Sequence, residues 1–393
     1  MTKKSDTPAI RFKGFTDTWE QRKLGDIASD MVAGGDIDKD LILAEGQYPV
    51  IANALTGDGI VGYYDKEYRV NAPAVTVTGR GDVGHAKARL VNFTPVVRLL
   101  SVKSEHDVFF LENAINTLKI VIESTGVPQL TVPQLAKYEV AFPRQLDEEE
   151  HIGVFFKQLD HLITLHQRKY DKLTNVKKSM LEKMFPKNGS NVPEIRFKGF
   201  TEAWEQRKLG EVGETYTGLS GKSKDDFGHG SGKFITYMNV FSNPVASSNM
   251  TEAIEIDDSQ NKVQFGDVLF TTSSETPDEV GMSSVWLENA ENTYLNSFCF
   301  GYRPTTEYNP YYLAYMLRSS SMRKKITFLA QGISRYNISK NKMMDIEMPI
   351  PSIDEQKQIG EYFRNLDNLI TLHQRELEKL KNIKKSCLEN MFV

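Results

Sequence analysis

The sequence of 393 residues contains 52 acidic and 48 basic side chains, which gives a formal net charge of −4 at pH 7. A mildly acidic chain argues against a free-standing, high-affinity nucleic-acid binder, because such proteins usually carry excess positive charge. Cys299 and Cys387 are the only cysteines, too few for a disulfide framework or a cysteine-based zinc site. The sequence has no apolar run of about eighteen residues and no apolar N-terminal leader, so we expect a cytoplasmic protein without a membrane span.

Two segments of the chain occur twice in nearly the same form. Residues 10–25 read IRFKGFTDTWEQRKLG, and residues 195–210 read IRFKGFTEAWEQRKLG. Residues 147–185 return as residues 354–392, with LITLHQR, KKS and a terminal Met-Phe in common. This duplication predicts two tandem halves with one architecture.

The stretches between the repeats, residues 29–146 and 214–353, hardly resemble each other, and the second is 22 residues longer. Both show strand-like stretches broken by turns, followed by a helical pattern. The predicted elements are strands within 48–64, 72–84 and 93–103, a helix over 107–124 capped by Asp107, strands within 266–286, and a helix over 309–320. Both inserts close with a glycine and then a strand-like stretch that ends at a proline: Gly126 with Pro143, and Gly332 with Pro349. We therefore predict one fold that carries two different surfaces.

The second repeated segment has the periodicity of a long helix. Its apolar positions step alternately by four and three residues, which is the 3.5-residue period of a coiled coil. The seam positions are Ile152, Phe156, Leu159, Ile163, His166, Tyr170, Leu173, Met180 and Met184, and in the twin Ile359, Phe363, Leu366, Ile370, His373, Leu377, Leu380, Cys387 and Met391. We predict that the two helices pair antiparallel along this seam; the alternative is that each helix lies on its own domain.

Polar residues occupy matched positions of both seams. His166 and His373 are predicted to fix the register, as a buried polar residue does in other coiled coils, with a ligand role as the alternative. Lys177 and Lys384 interrupt the seams at the same step, which predicts a looser coil there.

A polar joint at residues 186–193, with a proline at each end, separates the halves. The predicted fold class is α+β, with two pseudo-repeated globular α/β domains separated by two long helices that form an antiparallel coiled coil. The predicted division is a first globular domain with its repeated frame over 1–146, a long helix over 147–186, a second globular domain over 187–353 and a second long helix over 354–393.

No catalytic or metal-binding pattern stands out in the sequence. Gly221-Lys222-Ser223 resembles the end of a phosphate-binding loop, but Tyr216 stands where that motif needs a glycine. Asn309-Pro310 is explained as a helix N-cap followed by proline at the first helical position. The histidines show no HExxH or similar ligand spacing. We therefore predict no catalytic residue and no metal site in this chain.

If the ligand is DNA, polar and planar side chains on loops between strands are the candidate readers. Arg and Lys pair with guanine edges, Asn and Gln with adenine, and Glu accepts from cytosine. A solvated loop position is the alternative interpretation for each of them. In the first insert the candidates are Asn53, Thr56, Tyr63, Tyr64, Thr78, Arg80, His85, Lys87 and Arg89; in the second they are Lys222, Lys224, Ser273, Ser274, Glu275, Thr276, Arg335, Tyr336 and Asn337.

Two variable regions, each introduced by IRFKGFT and WEQRKLG and closed by a segment with LITLHQR, resemble the specificity subunit of type I restriction-modification systems. The resemblance covers essentially the whole chain. It implies two target recognition domains that each read one half of a bipartite site in double-stranded DNA, with the long helices as spacer. It also implies two modification subunits, which bind S-adenosylmethionine and methylate adenine, and restriction subunits, which use ATP and Mg. No cofactor is implied in this chain.

Two other functions stay open at this point. A fused methyltransferase or nuclease with its own specificity domains would need a cofactor loop or an acidic nuclease motif, and the sequence shows neither. A coiled-coil scaffold whose degenerate inserts do not read DNA is the other alternative.

Overall fold

The computed structural model describes residues 6–121, 129–187 and 189–393. The chain divides into two units: the first runs to Arg168 and also contains Gln374–Val393, and the second is Lys169–His373. Each unit therefore combines one insert with parts of both long helices. The predicted domain boundaries follow the helix ends, whereas the boundaries of these units lie within the helices. The helix predicted over 107–124 ends at Asn116, so its predicted extent is too long, and residues 122–124 and Gly126 lie outside the described residues.

Most strands follow one another in the same order in the two halves, and each half ends in a long helix. From the start of the chain to the first long helix they are β1 (Glu20–Lys23), α1 (Leu24–Ile27), β2 (Ala28–Ala33), β3 (Tyr48–Ile51), β4 (Ile60–Tyr64), β5 (Ala74–Thr78), β6 (Ala86–Arg89), β7 (Thr94–Pro95), β8 (Leu99–Ser104), α2 (Val108–Asn116), α3 (Val132–Leu135), β9 (Glu139–Phe142) and α4 (Leu146–Lys183). The second half contains β10 (Glu205–Lys208), β11 (Gly213–Thr217), β12 (Phe227–Ile235), α5 (Tyr237–Ser242), β13 (Thr251–Ile254), β14 (Val268–Thr271), β15 (Ser273–Ser274), β16 (Ser283–Val285), β17 (Thr293–Leu295), β18 (Cys299–Pro304), α6 (Pro310–Met316), α7 (Ser320–Phe328), β19 (Tyr336–Asn337), α8 (Lys340–Met344), β20 (Glu347–Ile350) and α9 (Ile353–Met391).

The two units contain the same sheets. In the first unit these are a four-stranded antiparallel sheet (β2-β8-β5-β6), a three-stranded sheet (β4-β3-β7) and a ribbon (β1-β9). The second unit has β11-β18-β14-β16, β13-β12-β17 and β10-β20, and adds the short pair β15-β19. The β-branched strand β5 lies inside its sheet and is buried at every residue, as a strand packed on both faces should be. The prediction of one shared fold is confirmed.

The ribbons fix where each insert begins and ends. In β1-β9 Glu20 faces Phe142, and in β10-β20 Glu205 faces Ile350. Pro143 follows the last residue of β9, but Pro349 lies inside β20, which ends at Ile350. The predicted match of Pro143 with Pro349 is therefore wrong, because the strand pairing aligns Pro143 with Pro351.

An arginine of the first repeated segment holds the start of each long helix. Arg11 Nε and Nη2 donate to the two carboxylate oxygens of Glu148 at 2.5 and 2.7 Å. Arg196 does the same to Glu355 at 2.7 and 2.8 Å. Both glutamate side chains are only 1% exposed. These forked, charge-assisted bonds explain why the two repeated segments occur together.

A glycine near the start of each long helix allows close packing on the insert. Asp107 and Asn309 cap α2 and α6 by accepting from backbone amides of the first turn, which confirms both predicted caps. An added Cβ at Gly153 would lie 2.0 Å from Asp107 Oδ1, and one at Gly360 would lie 2.6 Å from Asn309 Oδ1. Only glycine permits this approach of helix to cap.

In the first unit the two long helices run antiparallel and share a core with the insert. This core includes Ile152 and Phe156 of α4 together with Met391 of α9, and Leu159 of α4 is also buried. The Phe392 ring lies 5.8 Å from the Phe156 ring, and Asp160 Oδ1 lies 2.6 Å from Lys384 Nζ. Residue numbers increase along one helix as they decrease along the other.

The second unit repeats this arrangement with the helices exchanged. Its core buries Ile359, Phe363 and Leu366 of α9, and the Phe185 ring stacks on Phe363 at 5.8 Å. Lys177 Nζ of α4 lies 2.5 Å from Asp367 Oδ1 of α9. Both alternatives for helix packing are thus realised, because each helix begins in the core of its own insert and also pairs with the other helix.

Most of the remaining seam positions of α4 and α9 are half-buried. Lys177 and Lys384 do not leave open gaps, since each forms an ion pair with an aspartate of the facing helix. The half-buried seam positions are Ile163, His166, Tyr170, Leu173, Met180, Ile370, His373, Leu380 and Cys387.

Among residues 6–121, 129–187 and 189–393, no helix combines the length and apolar character needed to cross a membrane.

Candidate nucleic-acid interface

In the first unit, the segments that follow β3 and β5 meet the turn that precedes β8. Asn53 Nδ2 donates to the Val97 carbonyl at 3.0 Å, and Asn53 Oδ1 accepts from the Gly79 amide at 2.8 Å. The side-chain amide of Asn53, a candidate for base contact, thus forms hydrogen bonds to the backbone with both its nitrogen and its oxygen. Asn53 therefore fixes the positions of the two neighbouring loops.

The loop after β5 is built around a buried hydroxyl. Thr78 Oγ1 donates to the Asp82 carbonyl and accepts from the His85 amide at 3.0 Å. The loop presents Arg80 and His85, and both of these side chains are exposed. Of the candidates in this loop, Thr78 therefore sets its shape, while Arg80 and His85 are accessible to a ligand.

The candidates before β5 are spread over two elements. Thr56 is exposed in a short 3-10 turn (Thr56–Gly59), whereas Tyr63 and Tyr64 lie on β4. Tyr63 is half-buried. Tyr64 is buried, and its hydroxyl donates to the Asp38 carbonyl at 3.0 Å. Thr56 is the accessible member of this group.

Lys87 and Arg89 on β6 line a cavity of about 440 Å³ that is also bordered by Thr78 and His85. Arg89 Nε donates to Thr76 Oγ1 at 3.0 Å, and burial lowers the pKa of the guanidinium from its ordinary value. Burial also raises the pKa of Glu112, which lines the same cavity. The cavity thus holds groups of both signs next to the loop after β5.

In the second unit, strand pairing brings together two candidate groups that are distant in sequence. In the pair β15-β19, Ser273 faces Asn337 and Ser274 faces Tyr336. Both serines are buried, Tyr336 is half-buried, and Asn337 is exposed. The loop after β14 and the segment 334–337 therefore form one continuous edge.

Sequence reasoning missed Tyr237, which holds this edge. Its hydroxyl donates to the Ser273 carbonyl at 2.7 Å. Tyr237 follows the last residue of β12 by two positions, as Asn53 follows the last residue of β3. The shared spacing after the central strand of the three-stranded sheet is the signal that could have identified it.

Exposed groups of different chemistry lie along the same edge. Glu275 and Thr276 are exposed, and Thr276 Oγ1 donates to Glu279 Oε2 at 2.8 Å. Arg335 is exposed, and its guanidinium carbon lies 5.9 Å from the centre of the Phe298 ring. The edge offers an acceptor for cytosine and a donor for guanine.

The two candidate lysines lie on another segment. Lys222 Nζ is 2.7 Å from Asp257 Oδ2, and this contact raises the pKa of Lys222 and lowers that of Asp257. Lys224 is exposed in a 3-10 turn (Lys224–Asp226). Contacts of these lysines with DNA stay predictions, and the neutralising pair makes Lys224 the more available charge.

The family described as Type I restriction modification DNA specificity domain matches the chain twice, over residues 16–175 and 201–382. The chain belongs to this family. The two matches coincide with the two repeated halves, and membership places the chain among proteins of DNA recognition.

Individual relatives extend this result. The chain is 22% identical to the specificity subunit of the type I restriction enzyme MjaVIII of Methanocaldococcus jannaschii, over 95% of this chain and 91% of that protein. It is 32% identical to the specificity subunit of the type I restriction enzyme StySPI of Salmonella potsdam, over 32% and 27% of the two chains. The crystal structure of the S subunit of a type I restriction-modification system from M. genitalium has the same fold, with a TM-score of 0.62 at 15% identity over 98% of this chain and 99% of that chain.

Proposed function

We propose that the chain is the DNA-recognition subunit of a type I restriction-modification complex, in which each unit reads one half of a bipartite target. The observation that carries this proposal is that the two units share the same sheets, ribbons and long helices but present different side chains on the loops of their inserts. An enzyme with a single substrate site has no need for two matched supports. Two DNA-recognition domains that act independently need such matched structures, because each domain must be held at a fixed position on the duplex.

The accessible candidates give each unit its own reading chemistry. The first unit presents Thr56, Arg80, His85 and Lys87, and the second presents Lys224, Glu275, Thr276, Arg335 and Asn337. Since these sets differ in donors and acceptors, the two units are expected to read different base pairs. Base contacts of this kind specify sequence, whereas phosphate contacts supply much of the affinity.

Partner subunits supply the missing positive charge in this proposal. A chain of net charge −4 does not neutralise many phosphates by itself. Two modification subunits, each bound to a copy of the repeated framework, would surround the DNA and add these contacts.

The repeated sequence LITLHQR supports this docking. Its isoleucine and histidine lie on the half-buried seam, but both leucines are exposed in each copy. Identical apolar groups exposed on two helices indicate binding of two copies of one partner. The exposed leucines are Leu162 and Leu165 of α4, and Leu369 and Leu372 of α9.

The proposal assigns no catalysis and no cofactor to this chain. S-adenosylmethionine binds to the modification subunits, which methylate adenine, and ATP with Mg serves the restriction subunits. The complex acts on double-stranded DNA in the cytoplasm.

Methylation assays of the chain alone and with its modification partner test the proposal. Only the assembled complex is expected to methylate, at adenines of a two-part site found by sequencing methylated DNA. Exchange of residues 29–146 for the corresponding region of a relative should change one half-site and leave the other intact. Methylation by the isolated chain would support the fused enzyme, and unchanged half-sites after exchange would support the scaffold without DNA readout.

A further inference from the structure

A tight hairpin at the edge of the second unit presents an apolar residue. Gln331 and Asn337 exchange both backbone hydrogen bonds, at 3.0 and 2.8 Å. Ile333, in the turn between them, is 96% exposed. Gly332 adopts a φ of +144°, and an added Cβ there would lie 2.0 Å from the Arg335 carbonyl oxygen. Gly332 thus determines the shape of the turn, and the turn exposes Ile333 to solvent.

Phe298 lies on the same edge. The Thr272 amide, next to β15, donates to the Phe298 carbonyl at 2.8 Å, and Asn296 Oδ1 accepts from the Phe298 amide at 2.8 Å. The ring is 56% exposed, and the guanidinium carbon of Arg335 lies 5.9 Å from its centre. The hairpin and the turn before β18 therefore place an apolar group beside a cation.

This apolar group belongs to the variable part of the molecule. Cys299 faces Thr271 and Leu99 faces Thr78, so the position of Phe298 corresponds to Arg98 in the first unit. A surface for a partner that binds both units alike would carry the same chemistry twice. An aromatic side chain that occurs in only one unit is instead expected on a surface that recognises its own DNA half-site.

We propose that Phe298 and Ile333 contact the 5-methyl group of a thymine in the half-site read by the second unit. This inference rests on the proposed function. The thymine methyl is the one apolar group that the major groove displays, and apolar side chains recognise it. Continuity with Glu275 and Asn337 on one edge favours DNA as the occupant, and Arg335 adds positive charge toward the duplex.

The test uses the complete complex and duplexes in which deoxyuridine replaces each thymine of that half-site in turn. At one position, loss of the methyl group should weaken binding by about fourfold, the effect of one buried methyl group. Phe298→Ala and Ile333→Ala should each reduce this preference, so that dT and dU duplexes bind more equally. Phe265→Ala is the matched control, because Phe265 is 54% exposed and precedes β14, at the end opposite to β15.

The outcomes separate this inference from the proposed function. Specific binding that is insensitive to every methyl group, or a Phe298→Ala complex that keeps the full dT preference, overturns the inference alone. Equal weakening on dT and dU duplexes with reduced DNA bending would identify a wedge between base steps and also overturn methyl reading. A wild-type complex without specific binding overturns both.

Discussion

A phenylalanine just after each long helix completes the core of one unit. The Phe392 ring lies 5.4 Å from Phe110 and 6.3 Å from Trp19, all in the first unit. Phe185, at the matched position, lies 6.4 Å from Trp204 in the second unit and is fully buried. Replacement of each phenylalanine by alanine should therefore destabilise a different unit.

The size of each effect follows from burial. Phe185→Ala should lower the free energy of unfolding of the second unit by about 3–5 kcal/mol, as expected for a fully buried phenylalanine. Phe392 is half-buried, so Phe392→Ala should cost the first unit about 2 kcal/mol, from partial loss of apolar burial and of ring contacts.

Hydrogen exchange followed by mass spectrometry checks this prediction. Phe392→Ala should speed exchange in β5 and β8 and leave β14 and β18 near their wild-type rates. Phe185→Ala should give the reverse pattern. If Phe392→Ala left β5 and β8 protected, or accelerated exchange equally in both units, the assignment of Phe392 to the first core would be refuted.

Three further substitutions probe single contacts. Gly153→Ala should lower the thermal midpoint although alanine normally stabilises a helix, because its Cβ meets Asp107; a raised midpoint would contradict the close approach. Glu355→Ala should cost about 3–5 kcal/mol in urea unfolding by leaving Arg196 without its buried partner, and a loss below about 1 kcal/mol would show that the pair is dispensable. Burial raises the pKa of Glu112 in the folded protein above the ordinary glutamate pKa, which holds in the unfolded chain. The folded state therefore loses stability as pH rises from below the ordinary pKa through the raised pKa, because the buried carboxyl group becomes charged. The free energy of unfolding of Glu112→Gln should therefore increase relative to that of the wild type as pH rises through the ordinary glutamate pKa and above it, and equal pH profiles in urea unfolding would argue against the shift.

Local patterns predicted the parts of the fold that depend on period and capping. The alternating step of four and three found the buried seam residues, such as Phe156 and Phe363, because side-chain spacing along a helix decides which face is buried. Asp107 and Asn309 were identified as caps because their side chains satisfy nearby amides. These contacts lie within a few residues of each other, so sequence carries their signal directly.

Long-range pairing was beyond such reasoning. The ion pairs of Lys177 and Lys384 appear in sequence only as interruptions, since their aspartate partners lie on the other helix. The edge formed by β15 and β19 depends on the path of the chain through α6 and α7. For the same reason Tyr64 and Thr78 read as surface polar residues, although the structure buries both against backbone carbonyls.

The ribbons at the base of each insert have an evolutionary consequence. Because β1 and β9 are neighbouring strands, as are β10 and β20, each insert leaves and rejoins the framework at points about 5 Å apart. Extra chain can therefore accumulate between them without displacing the helix that follows, and the second insert contains 22 more residues than the first. Such an insert can be exchanged as a unit. Recombination within the duplicated coding segments would replace a whole insert and leave the β-ribbon that holds it unchanged.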